Sequence, residues 1–125
     1  MADLEIRLLK EADISAFPLT GPRLTTVQGW SVWQGGKLVG IAGVSISRQS
    51  IIAFSDFTPE FLFETPKITL WRLTLKLWDN TISLGYKIMS AVADERLPGA
   101  AAFLKRLGFE YYRTTERGEV YRWAS

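Results

Sequence analysis

The chain has 125 residues, 47% of them hydrophobic and 22% charged, with 15 basic and 13 acidic side chains that leave a net charge of +2. That is room for one core and one domain, 1–125, with the balance of a folded globular protein rather than a disordered one. There is no Cys and no His. The chain can therefore build no disulfide framework, thiolate nucleophile or Ser-His-Asp triad of its own, and no metal site is expected. The charges are interspersed, so they provide no field of the kind that nucleic-acid binding needs, and the pI near 9 reflects a small imbalance.

The opening MADLEIRLLK is charged and lacks the apolar run of a signal peptide, and no stretch of 18 consecutive apolar residues occurs anywhere. No membrane span and a cytoplasmic location are the expectation. Five Trp, four Tyr and seven Phe supply rings for a core, with a surplus available for an interface with a protein partner or a second copy.

Taken in order, Glu5 to Leu9 reads as a first strand, followed by one or two helical turns from Glu11 to Phe17 that Pro18 ends. Thr20 to Thr26 is a loop by its Gly-Pro and hydroxyl content. Gly29 to Gln34 and Lys37 to Ser47 are strands joined by Gly35-Gly36, a pair suited to the positive φ of a tight hairpin. Both faces of the second strand are apolar or small, which describes a central strand buried on both sides. After a turn near Arg48-Gln49, Ser50 to Phe57 gives the next strand.

From Pro66 to Leu84 the polar residues Thr69, Arg72, Lys76, Asp79, Asn80 and Ser83 form one stripe at 3.6 spacing, which predicts a long helix. Thr65 is its expected N-cap, Pro66 its first residue and Gly85 its stop. The opposite side carries Leu70, Trp71, Leu73, Leu77, Trp78 and Leu84 and is expected to lie across a sheet. Tyr86 to Asp94 is a short strand.

A turn at residues 96–99 leads into GAAAFLKRLGFEYY. There Ala100, Phe103, Leu104 and Leu107 share a helix face, Lys105 and Arg106 suit its carbonyl end, and Gly108 is the left-handed stop. Beyond Gly108 the period changes from 3.6 to 2, and alternation sends Tyr111 and Tyr112 to opposite faces, one toward the core and one toward the surface. A last strand, Glu119 to Trp123, follows a Thr115 to Gly118 loop.

FLKRLGFE resembles the (Y/F)xKxGF helix-to-strand junction of the GNAT (Gcn5-related N-acetyltransferase) superfamily. GKLVGIAGVSI resembles its second and third strands, and KEADISAF its opening strand-to-helix step. The element order is similar to the GNAT fold over almost the whole chain. The resemblance implies an α/β (α+β) fold with a central mixed, mostly antiparallel sheet of six to seven strands, on which the long helix and a C-terminal helix pack. It also implies that the strands flanking the long helix splay apart where acyl-CoA normally enters.

In the family an R/Q-x-x-G-x-G/A loop leads into the long helix and holds the coenzyme's diphosphate on backbone N–H groups. The matching stretch here, TPEFLFETP from Thr58 to Pro66, has no glycine or arginine and carries Glu60 and Glu64, whose charge opposes a diphosphate. Phe57, Thr65 and Lys67 are the candidate coenzyme contacts, while Phe61, Leu62 and Phe63 read as a hydrophobic plug or a contact surface, with Phe61 and Phe63 as the interaction residues. The family's acidic Tyr corresponds to Leu104, and an upstream Asn to Leu97; leucine donates no proton. Asp56 and Glu60 are the candidate general bases.

The Trp-, Leu- and Lys-rich helix, the missing glycine loop, and the FLKxxG junction before a Thr-Glu-Arg-Gly hairpin resemble small GNAT-like proteins of tailed phages, of internal-virion or head-assembly type. This resemblance implies a non-catalytic protein, without cofactor, that works through protein contacts in virion assembly, in the host cytoplasm or inside the virion. The alternative is an acetyl-CoA-dependent N-acyltransferase with an atypical coenzyme loop.

Overall fold

The computed structural model describes residues 3–16, 26–47, 50–93, 99–116 and 118–125. The expected loop at residues 20–25, the Arg48-Gln49 turn, and residues 94–98 with Leu97 lie outside them. Seven strands form one sheet in the order β1-β2-β3-β4-β5-β7-β6, built from β1 (Leu4–Leu8), β2 (Val27–Gln34), β3 (Lys37–Ile46), β4 (Ile51–Phe57), β5 (Ile88–Ala93), β6 (Glu110–Thr115) and β7 (Gly118–Ala124). The helices are α1 (Glu11–Ala16), α2 (Pro59–Glu64), α3 (Lys67–Ile82) and α4 (Ala100–Arg106).

The β2–β3 hairpin turns on Gly35 and Gly36 at φ 58° and 78°, the left-handed conformation that a side chain would resist. β3 is buried from Val39 to Ser45, on both faces, as its composition predicts. Every neighbouring pair of strands is antiparallel except β4 and β5, which run parallel because α3 carries the chain back across the sheet.

The core has two parts. Val32, Val39, Ala42, Phe61, Leu73 and Leu77 form one cluster. Val44, Trp78, Met89, Ala91, Phe109 and Tyr121 belong to the other, with Ala100, Leu104 and Leu107 of α4 and its exit packed on it. α3 serves both, Leu73 and Leu77 in the first and Trp78 in the second. The two helices also meet directly: the Trp71 ring takes Phe103 of α4 edge-on at 5.1 Å. The hydroxyls of Thr74 and Thr81 donate to the carbonyls of Leu70 and Leu77, one turn back, so neither polar group on this inner side goes unpaired.

α4 ends as its sequence predicts. Phe109 N–H donates to Leu104 O and Gly108 N–H to Lys105 O, the paired bonds of a Schellman stop, with Gly108 at φ 101°. The following strand departs from expectation. A register shift between Tyr111 and Arg113 breaks the alternation, and both tyrosines stay outside, Tyr111 52% and Tyr112 46% exposed. The core ring comes instead from Tyr121 on β7.

Candidate functional site

The feature around which a site would form is the junction of β4, α2 and α3. β4 and β5 share one register pair, Ile52 with Ser90. Beyond Ile52, β4 continues to Phe57 paired with β3 alone, Gly40 facing Phe57. The two strands are therefore splayed, as the resemblance implies.

At the end of β4 the chain does something the sequence reading missed: residues 59–64, read as a loop, form the short helix α2. Thr58 is its N-cap, with Oγ1 accepting from Phe61 N–H at 3.3 Å, and Pro59 opens its first turn. The signal was present in the sequence as a hydroxyl residue followed by proline, but six residues are too few for a helical period to show.

This helix settles the position of each candidate residue. Phe61 is 3% exposed and stacks on Phe57 at 5.5 Å, so its ring is the plug between β4 and α3 and is no surface contact. Phe57 in turn lies over Gly40, where an added Cβ would come within 2.3 Å of the ring. Phe63, two residues on, points the other way and is 92% exposed.

Thr65 is buried and closes α2, donating its N–H to Phe61 O at 3.0 Å. The N-cap of α3 is Pro66, so the expected Thr65 cap does not form. Lys67 is exposed as the first residue of α3. Asp56 is half-buried on β4, and alternation turns it to the sheet face opposite Phe57. Glu60 is exposed on α2. The two candidate bases thus sit on different elements, Asp56 on β4 and Glu60 on α2. Leu104 packs against the core from α4.

Backbone donors decide what such a junction can hold. Between Thr58 and Pro66 there is no glycine, and four of the amides are already engaged. Thr58 N–H donates to Val39 O, Phe61 N–H to Thr58 Oγ1, Leu62 N–H to Thr58 O and Thr65 N–H to Phe61 O, while Pro59 and Pro66 have none to give. A diphosphate cradle of the usual kind does not fit here. The start of α3 differs: no side chain caps it and no acidic residue occupies its first turn, so the N–H groups of Lys67, Ile68 and Thr69 are open to solvent or an anion. Among the described residues no group of carboxylates could hold a metal ion, and no helix is long and apolar enough to cross a membrane.

No family model matches the chain, and no curated protein does. Solved structures do. An N-acetyltransferase from Staphylococcus aureus Mu50 superposes with a TM-score of 0.69 at 13% identity over 98% of this chain and 99% of its own. A GNAT superfamily phosphinothricin acetyltransferase from Sinorhizobium meliloti, solved in complex with AcCoA, gives 0.66 at 17% identity over 97% and 88%. The ribosomal-protein-S18-alanine N-acetyltransferase of Escherichia coli gives 0.64 at 18% identity over 96% and 91%. The chain has the fold of the GNAT acetyltransferases: a seven-stranded, mostly antiparallel sheet parted between β4 and β5, with its long helix crossing in between.

Proposed function

We propose that this chain, residues 1–125 acting as one domain, uses the GNAT scaffold for protein contacts and not for acyl transfer, in the assembly or interior of a phage virion. The observation that carries the reading is α2. Where the family resemblance calls for a glycine loop of free backbone amides leading into the long helix, this chain places a helix that engages the amides of Phe61, Leu62 and Thr65, drives Phe61 into the core and presents Glu60, Phe63 and Glu64 outward. Leu104, at the position the resemblance assigns to the proton donor, is a packing residue. The phage setting rests on the likeness of the FLKRLGFE junction and the Thr-Glu-Arg-Gly hairpin to small phage proteins. Host cytoplasm, and then the virion, is the location that goes with it.

One observation favours the alternative, an acetyl-CoA-dependent N-acyltransferase: the uncapped amides of Lys67, Ile68 and Thr69 at the start of a 16-residue helix. The same residues would hold the phosphates, and the coenzyme would supply the acyl group. A thermal-shift titration with acetyl-CoA separates the two. The contact reading expects no shift at millimolar coenzyme. Coenzyme at 100 times its dissociation constant would add about 2.7 kcal/mol of stability, a rise of several degrees, and its abolition by Lys67→Glu would demote the contact reading in favour of the enzyme one.

A further inference from the structure

We infer that the partner is a second copy of this chain, with Phe63 of one copy seated in the groove between β1 and α3 of the other. The inference rests on the contact reading above and gives it an occupant. The knob is the outer face of α2. Phe63 is 92% exposed and stands beside Glu60, three residues before it, while Glu64, four after Glu60, lies on the far side of that residue, so a bare ring projects at the edge of an acidic pair. Leu62 and Ile68, 39% and 57% exposed, extend the apolar surface around it.

The groove has the opposite character. It is about 590 Å³ in volume, floored by Leu4, Ile6, Trp30 and Leu73, and Arg72 and Lys76 stand one helical turn apart along its wall. Among the described residues no carboxylate lines it. Neither Arg72 nor Lys76 makes a salt bridge among the described residues. At its rim Leu8 is 72% exposed on β1, a strand paired on one side only. An apolar ring beside two acids therefore meets an apolar floor lined by three bases, Arg72, Lys76 and the Glu5-paired Arg7.

The exposure of Phe63 means that a chain does not fill its own groove, and the two surfaces occur in equal number on every copy. They also adjoin. Thr69, in the first turn of α3, already lines the groove, so a two-fold arrangement engages both knob-and-groove pairs at once.

The test is sedimentation velocity of the full chain over a concentration series, with thermal melting of each variant as the check on folding. Wild type should associate, and less tightly as salt is raised. Phe63→Ser should weaken association at least about tenfold. Glu60→Lys with Glu64→Lys, and separately Arg72→Glu with Lys76→Glu, should each give a folded monomer, because in either variant knob and groove carry like charge. Mixed one to one, the two charge variants should form a heterodimer, since the lysine-flanked knob then faces the glutamate-lined groove.

A wild type that stays monomeric throughout, or a mixture of folded charge variants that does not associate, overturns the interface. Either result leaves the non-catalytic reading standing, because that reading is overturned by a coenzyme shift and not by sedimentation.

Discussion

Phe61 and Phe63 are two residues apart and have opposite fates. Phe61 fills the space between Phe57 and α3, while Phe63 stands in solvent. Truncating the first leaves a cavity in a packed layer, so Phe61→Ala should cost about 3–5 kcal/mol. Gly40→Ala should cost about 1–3 kcal/mol, since its methyl displaces the Phe57 ring from a space with no slack. At protein concentrations low enough that both are monomeric, Phe63→Ser should stay within about 0.5 kcal/mol of wild type. Urea denaturation with an unchanged m-value checks all three, and a Phe61→Ala as stable as Phe63→Ser would show that the plug is not packed. The run Phe-Leu-Phe announces apolar surface in the sequence but not which ring goes inside. That depends on knowing that the segment is helical, and on where the helix begins.

Helix ends show the same limit one level up. The stop of α4 was legible because Gly108 is the one residue there that takes φ 101° without strain, and a change of period follows it. The polar stripe of α3 was legible because 16 residues contain more than four turns. Its beginning was misread. Two Thr-Pro pairs, Thr58-Pro59 and Thr65-Pro66, both match a capped helix start, and only the first acts as one, with Thr58 Oγ1 on Phe61 N–H. Thr65 instead spends its N–H on the end of α2. Thr58→Ala should therefore cost about 1 kcal/mol, lowering the melting temperature by a few degrees. Circular dichroism melting checks this. A variant that melts like wild type would mean that α2 holds its shape through Phe61 alone, without its cap.

At the scale of the whole molecule the sheet carries a weak seam. The element order along the chain was legible, with a long helix between two strands, because an apolar alternation, a long amphipathic helix and a second alternation in that order leave few arrangements open. The parting of β4 from β5 was implied by the family resemblance, but not its extent, because the number of register pairs two strands share is a property of twist and packing. The cluster of Met89, Ala91 and Tyr121 also takes in Val44 of β3, with Ile51 and Ala53 of β4 packed against it, so apolar contacts cross the seam where the ladder between β4 and β5 amounts to the single pair Ile52 with Ser90. α3 holds the halves together. Trp78 reaches past the first cluster to meet Phe109 at 5.1 Å, the rings tilted by 45°, and to take Trp123 edge-on at 5.3 Å, while Leu73 and Leu77 stay in the first. Trp78→Ala removes the main apolar link from α3 to the C-terminal strands and should cost about 3–5 kcal/mol. Its consequence goes beyond the loss of stability. In native-state hydrogen exchange the amides of β5 and β7 should then open at lower free energy than those of the β2–β3 hairpin, whereas in the wild type the two groups should open together. If both sets of amides in the variant still exchange in one global step, the single bridging pair holds the sheet together better than its length implies, and coupling across the seam runs through the backbone and not through the Trp78 ring.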